Sequence, residues 1–344
     1  MSIYPTLRPL IFRLSPERAH AVTLALLRAA GGSAVGRRLV RALFAPRWAD
    51  GLNRPPVQAF GLTFANPVGL AAGYDKDGLG WRGLAALGFG HLELGTVTPR
   101  PQPGNPAPRI FRLVEDRAVI NRMGFPSRGA DFLAGRLAGR RPPGVILGVN
   151  IGKNKDTPLE RAGEDYDVLL RRFAPLADYL AINVSSPNTP GLRQLQGQAA
   201  LAGLLGPLAD ERRRQARALG RPVPLLVKLA PDLTDGELDA ALGAISETGM
   251  DGVIISNTTL RREGLRSAHA GETGGLSGAP LRGLNTALIR RVARVTGGRL
   301  PIIASGGVMT PGDYREKLAA GATLVQLYTG LIYAGPGLVR QVLR

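Results

Sequence analysis

Eight short apolar runs, each followed by glycine or small polar residues, restrict this chain to very few folds. They occupy 67–72, 91–96, 145–151, 179–184, 225–229, 252–256, 301–304 and 323–328. Their length and aliphatic content read as strands. Between them apolar residues recur at helical spacing: Trp81, Leu84 and Leu87; Leu201, Leu204 and Leu208; Leu238, Leu242 and Ile245; Leu284, Leu288, Val292 and Val295; Tyr314 and Leu318. Two of these helices carry start signals, a capping box at Thr234 and Glu237 and an N-cap Thr310 before Pro311. Strands alternating with helices over about 280 residues predict an α/β protein, a (β/α)8 TIM barrel. The competing open doubly wound sheet is disfavoured because no strand is followed by a G-x-G-x-x-G turn. In either architecture chemistry collects past the carboxyl ends of the strands.

The fourth run shows that junction most clearly. Leu180, Ile182 and Val184 alternate with Ala181 and Asn183, and the run ends in Ser185, Ser186, Pro187 and Asn188. The other strand ends supply Gly73 to Lys76, Thr96 to Thr98, Asn150 with Gly152 and Lys153, Lys228, Asn257 with Thr258, Gly306 with Gly307, and Tyr328 to Gly330. Among these amides, hydroxyls, lysines and glycines, Asp75 and Asp232 are the nearby carboxylates, which leaves paired-carboxylate hydrolysis little to work with. No cluster suits Mg²⁺, and His20, His91 and His269 are too scattered for a histidine-built site, so no metal is expected. The absence of cysteine removes disulfides, iron–sulfur ligation and a catalytic thiol. Amides and two lysines suit a planar, polar, anionic ligand. Bare backbone after strands seven and eight suits a phosphate. Two connections, 99–143 and 258–281, are long enough to be lids or ligand walls; the first holds β-like runs at 110–113 and 118–120.

Residues 1–50 differ from the rest. Tyr4, Leu7, Ile11 and Leu14 share a helical stripe; Ser15 and Pro16 open a second helix bearing Ala19, Val22, Leu26 and Leu27; and a third carries Val35, Leu39, Leu43 and Phe44 opposite Arg37, Arg38, Arg41 and Arg47. No apolar run approaches the ~20 residues of a spanning helix, and no secretory cleavage pattern appears. This amphipathic, basic segment is expected either to lie in a membrane interface or to cap the domain formed by 51–344. The whole chain has 44 Lys+Arg against 26 Asp+Glu, a net charge of +18. Such a balance attracts polyanions, anionic membranes or small acids without choosing among them, and Arg-rich coding bias would produce the same number.

Five motifs then carry a resemblance: residues 66–73 (NPVGLAAG), 95–99 (GTVTP) with 101–106 (PQPGNP), 120–125 (INRMGF), 183–188 (NVSSPN) and 272–278 (ETGGLSG). In order and over essentially the whole chain, they are similar to class 2, quinone-dependent dihydroorotate dehydrogenase. The resemblance implies an FMN enzyme of pyrimidine biosynthesis that oxidises (S)-dihydroorotate to orotate and passes electrons to a membrane quinone. It implies that FMN meets Ala72, Gly73, Thr96, Asn150, Asn183, Lys228, Ser256, Gly278, Gly307, Tyr328 and Thr329. Substrate would meet Lys76, Asn121, Arg122, Met123, Gly124, Phe125, Asn183, Asn188, Asn257 and Thr258. Ser186 matches the catalytic base, with Thr189 and ordered water as relay partners. His20, Arg112 and Tyr328 match a quinone path beneath the N-terminal helices.

These types suit the chemistry. Lys228 would stabilise negative charge on the reduced cofactor, Lys76 would neutralise a carboxylate, and the asparagines match the alternating N–H and C=O edge of a pyrimidine. Class 1 relatives use a cysteine base, which this chain lacks. An RNA-acting flavin barrel of the dihydrouridine synthase type, the rival reading, also needs a cysteine and usually an appended RNA-binding segment, whereas this chain stops at Arg344; no nucleic-acid partner is expected. The lack of a presequence before Tyr4 leads to the expectation of a peripheral enzyme on the cytoplasmic side of a bacterial inner membrane, and the resemblance implies a monomer.

Overall fold

The computed structural model describes residues 4–46, 56–139 and 141–344; Arg47 and the expected boundary at 50/51 lie outside the described residues. In chain order the strands are β1 (Val57–Ala59), β2 (Leu62–Phe64), β3 (Val68–Leu70), β4 (His91–Val97), β5 (Ile110–Leu113), β6 (Ala118–Asn121), β7 (Ile146–Ile151), β8 (Tyr179–Asn183), β9 (Leu225–Leu229), β10 (Gly252–Ile255), β11 (Gly275–Gly278), β12 (Ile302–Ser305) and β13 (Leu324–Leu327). Eight of them close into a barrel, β3-β4-β7-β8-β9-β10-β12-β13, with β13 pairing back onto β3 and every pairing parallel. These are the eight runs read from the sequence.

Because strand side chains alternate, each barrel strand feeds two cores. One set, including Leu180, Ile182, Val227, Leu229, Val253, Ile255, Ile302, Val325 and Leu327, joins the layer under the surrounding helices. The other set points into the barrel: Tyr179, Ala181, Leu226, Ile254, Ile303 and Leu324 pack on Phe64 of the β1–β2 hairpin, which plugs the amino-terminal end. Continue each inward row by two residues and the chemistry changes, to Asn183, Lys228, Ser256, Ser305 and Gln326. The period of two thus builds an apolar plug below and a polar floor above. Each fully buried aliphatic side chain contributes roughly 1.5–3 kcal/mol, so the plug fixes the register on which the floor depends.

The helices are α1 (Tyr4–Ile11), α2 (Pro16–Gly31), α3 (Ala34–Phe44), α4 (Trp81–Ala85), α5 (Ala130–Leu137), α6 (Ala162–Phe173), α7 (Gln198–Leu219), α8 (Asp235–Glu247), α9 (Arg282–Val295), α10 (Pro311–Ala319), α11 (Thr329–Ala334) and α12 (Leu338–Val342). The capping box of α8 and the Thr310 cap of α10 form as expected. Ser15 caps α2, with Pro16 in its first turn. Helices α5 and α6 were not anticipated, although α6 buries Tyr166, Leu169, Leu170 and Phe173 at helical spacing.

The two long connections meet. β5 and β6 form a hairpin, and β11, from the second connection, pairs antiparallel with β6, giving a three-stranded wall. Tyr333 Oη donates to Leu113 O at 3.0 Å and Ala118 O at 2.8 Å, tying the wall to α11. Helix α2 packs on α4 where two glycines allow close approach; a Cβ on Gly83 would stand 2.2 Å from Leu27 O. Glu17 of α2 pairs with Arg109 at 3.2 Å, and Tyr4 Oη of α1 donates to Ile332 O at 2.6 Å. The outer faces of α1 to α3 remain apolar and exposed, led by Leu10 at 62%, Leu26 at 67% and Val35 at 75%. Among the described residues no helix is long and apolar enough to cross a membrane.

Gly69 faces the His91 ring inside the barrel, and a Cβ there would lie 2.0 Å from His91 Nε2. His91 is itself wedged edge-on between Phe64 and Tyr179. Gly69→Ala is therefore expected to destabilise the fold by about 1–3 kcal/mol, read as a lower urea midpoint at unchanged slope; an unchanged midpoint would contradict this packing.

Candidate active site

At the carboxyl ends of the barrel strands, under the β5–β6–β11 wall, lies a cleft of about 970 Å³, partly open to solvent. Its lining draws on every strand end picked out in the sequence except the third. Ala72, Gly73 and Lys76 follow β3; Thr96 lies on β4; Asn183, Ser186 and Asn188 end and follow β8; Lys228 lies on β9; Ser256, Asn257 and Thr258 follow β10; Gly307 follows β12; and Tyr328 and Thr329 follow β13. Asn121, Met123, Gly124, Phe125 and Gly278 come from the wall and its connections. Phe125 holds φ 52°, an uncommon conformation for a bulky side chain, directly after Gly124 at φ 67°.

A buried hydrogen-bonded lattice underlies the cleft. Asn150 does not line it but supports it: Asn150 Oδ1 accepts from Thr96 Oγ1 at 2.5 Å and from Asn183 Nδ2 at 3.0 Å. Asn183 Nδ2 also donates to Thr96 Oγ1 at 2.9 Å, while Asn183 Oδ1 accepts from the Ser185 hydroxyl at 3.1 Å. Ser185 Oγ accepts in turn from Asn257 Nδ2 at 2.9 Å. Below them Glu93, fully buried on β4, accepts from Asn150 Nδ2 at 2.8 Å, Gln326 Nε2 at 2.7 Å and Tyr179 Oη at 3.1 Å. Lys228 Nζ lies 3.9 Å from Glu93 Oε1; burial lowers its pKa, and Glu93 acts in the opposite sense. Burial also pushes Lys76 down to about 8, with Asp77 opposing and Lys228 and Arg109 adding to the effect.

The Ser186 loop is held from both sides. Ser186 Oγ accepts from the Asn188 N–H at 3.2 Å, and Asn188 Nδ2 donates to Asn121 O at 3.1 Å. Arg193 spans to Ser185 O at 3.0 Å, Asp232 at 2.8 Å and Thr258 O at 2.9 Å, bracing three loops. Thr189 is buried in the same loop, but no hydrogen bond joins it to Ser186 among the described residues.

Three expected residues stand apart from the cleft. Arg122 turns its guanidinium outward, pairing with Glu272 at 2.6 Å and lying 4.5 Å from the Phe111 ring centroid. Arg112 lies 4.5 Å from the Phe12 ring centroid and donates to Leu14 O. His20, on α2, reaches the cleft through another ring: it stands 5.2 Å from Tyr74, which stands 5.8 Å from Tyr328, both edge to face. Burial holds His20 neutral, with its pKa down to about 4. Tyr74 falls among the strand-end residues but was given no role from the sequence; Glu93 and Gln326, like Ser277 and Ser305, were not picked out at all. Glu93 and Gln326 lie inside strands or strand ends that read only as apolar runs, and their signal was a polar side chain on an inward row.

The cleft fits a flavin. Ala71, Leu281, Val308 and Met309 supply apolar contact surface, while Lys228, Asn183 and Gln326 offer hydrogen bonds on the floor. Gly306 and Gly307 form a turn in which a Cβ on Gly307, at φ 73°, would stand 2.3 Å from Arg282 Cα. That turn and the start of α11 at Thr329 line the same part of the cleft, and the first N–H groups of a helix favour a phosphate.

Residues 56–344 match the family model described as dihydroorotate dehydrogenase. The dihydroorotate dehydrogenase (quinone) of Azotobacter vinelandii is 52% identical over 343 residues, 98% of this chain and 95% of the relative. That of a Roseiflexus species is 51% identical over 341 residues, 99% of this chain and 92% of the relative. The crystal structure of ligand-free DHODH from Eimeria tenella superposes with a TM-score of 0.85 at 41% identity, covering 95% of this chain and 93% of that one. With motifs, barrel and cleft in agreement, the chain belongs to the dihydroorotate dehydrogenase family, whose cofactor is a flavin, and groups with its quinone-dependent members.

Proposed function

We propose that this protein oxidises (S)-dihydroorotate to orotate with FMN, passes the electrons to a membrane quinone, and so serves pyrimidine biosynthesis. The observation that carries the reading is that Lys76, Ser186 and Lys228, from three separate βα loops and strands, line one cleft together with Asn121, Asn188 and Asn257. FMN, when bound, supplies the acceptor for the hydride that leaves C6 of the substrate. It would be held by Ala72, Gly73, Thr96, Asn183, Lys228, Ser256, Gly278, Gly307, Tyr328 and Thr329, with Asn150 acting from beneath.

The residues divide the work. Lys76 meets the substrate carboxylate, and the asparagines present donors and acceptors to the ring edge. Ser186 Oγ takes the C5 proton as the C5–C6 double bond forms. A serine hydroxyl is a weak base, so its own proton must move on. Without a direct contact to Thr189, that relay requires a water between the two. Arg122 would act indirectly, by holding the wall against Glu272, rather than by touching substrate.

Quinone would approach beneath α1 and α2, along His20, Tyr74 and Tyr328, with Arg112 at the outer end. The exposed apolar faces of those helices and the arginines of α3 support peripheral docking on a membrane, each basic residue near anionic lipid contributing about 1 kcal/mol; the docked protein would be a monomer on the cytoplasmic side of a bacterial inner membrane. The RNA-acting alternative is not favoured, since the similar proteins named above are dihydroorotate dehydrogenases.

Ser186→Ala is expected to keep flavin and orotate binding while losing on the order of 10²–10⁴ in turnover; normal steady-state turnover would remove Ser186 from its role. Lys76 is charged below its lowered pKa of about 8, so the KM for dihydroorotate should rise as pH climbs through that value, and a flat KM up to about pH 10 would contradict its contact with the carboxylate. Replacing Leu10, Leu26 and Leu39 together by Glu should abolish sedimentation with vesicles and reduction of long-chain quinone, yet spare turnover with a water-soluble dye. Retained vesicle binding would refute the docking surface.

A further inference from the structure

One fully buried carboxylate inside the barrel has no part in the steps described so far. Glu93 is 0% exposed and sits on an inward row of β4. Three donors converge on it from three other strands, Asn150 of β7, Tyr179 of β8 and Gln326 of β13, and the Lys228 ammonium of β9 stands 3.9 Å away. A carboxylate can only accept, so it dictates which way a carboxamide turns. Asn150 and Gln326 each give it their N–H₂ and turn the carbonyl oxygen elsewhere. For Asn150 that oxygen organises Thr96 and Asn183. For Gln326, which lines the cleft and is 1% exposed, Oε1 meets no donor of the protein. A buried acceptor left unpaired costs about 1–3 kcal/mol unless a ligand or water supplies a donor.

We propose that Glu93 is a positioning residue of the cofactor floor: it counter-charges Lys228, and it turns the Gln326 amide so that the unpaired carbonyl oxygen receives a ring N–H of the flavin. The proposal rests on the reading that a flavin lies over Lys228. Its electrostatic consequence follows from proximity in a dry site. Reduction adds negative charge to a bound flavin; Lys228 favours that charge and Glu93 opposes it. The pair together sets the reduction potential lower than Lys228 alone would. Lys228 in turn helps to lower the pKa of Lys76 at the rim, while Glu93 is the charge that acts on Lys228 itself.

The test is spectroelectrochemistry of the full-length, flavin-loaded protein. In Glu93→Gln the midpoint should move positive at the low end of the pH range, where the Lys228 ammonium is present. As pH rises the difference should shrink, because Lys228 without its counter-charge releases its proton earlier. A merely structural role would not produce that pH signature, and a folded, loaded E93Q with the wild-type midpoint at every pH overturns the proposal. Lys228→Gln should move the midpoint in the negative direction. If both charge variants leave the potential unchanged, the flavin does not lie over this floor and the underlying reading fails as well. Gln326→Met keeps both charges and carries the test should E93Q fail to fold: it should weaken FMN retention severalfold with a near-native midpoint. Unchanged FMN affinity in Q326M overturns the amide role.

Discussion

A carboxylate, an ammonium and three carboxamides share the dry interior of the barrel, and their hydrogen bonds leave little freedom for anything above them. Burying such groups is expensive: each unpaired amide forfeits about 1–3 kcal/mol, and an uncompensated charge more. The Asn183–Thr96–Asn150–Glu93 lattice meets that requirement only if β4, β7, β8 and β13 keep one register. The apolar plug below enforces the register, because a slip of one residue would turn Ile254 and Leu226 outward and leave polar side chains among the helices. Plug and floor are therefore one device, and the precision of the cleft derives from the period of a strand.

Around this rigid floor the walls are built differently. The β5–β6 hairpin and β11 of the 258–281 connection share a strand ladder and a small apolar cluster of their own, Phe111, Leu113, Ala118, Ile120 and Leu276, separate from the main core. A few contacts of Asn188, Arg193 and Tyr333 tie them to the Ser186 loop and to α11. Segments held in this way open at lower free-energy cost than core strands. That suits a site proposed to admit a substrate and release a product while the floor keeps its geometry throughout.

Much of this was legible in the sequence because barrel strands and their polar ends lie next to each other in the chain. All eight runs became strands, and the residues that the resemblance assigned to cofactor, substrate and proton removal line one cleft with the exceptions of Asn150 and Arg122. Asn150 differs because a side chain one layer lower reaches other protein atoms instead of the open space. Arg122 differs because Glu272, distant in sequence, draws it outward. What could not be read was long-range: the pairing of β11 with β6, the edge-to-face packing of Tyr74 between His20 and Tyr328, and the convergence on Glu93 of side chains from four other strands. Helix α6 was legible and overlooked, its Tyr166–Leu169–Leu170–Phe173 spacing masked by acidic and basic neighbours. The exposed apolar faces of α1 to α3 lie in the same segment as Arg37, Arg38 and Arg41, the combination on which the proposed docking to anionic lipid rests.

The central claim is that amides, two lysines and one hydroxyl converge on a flavin that exchanges electrons with a dihydropyrimidine on one side of the reaction and a quinone on the other. The visible spectrum of the purified protein tests it most directly. A yellow protein that bleaches on anaerobic addition of dihydroorotate and regains its absorbance with a quinone is the predicted result; a protein that carries no flavin, or whose flavin stays oxidised in the presence of dihydroorotate, would contradict the account.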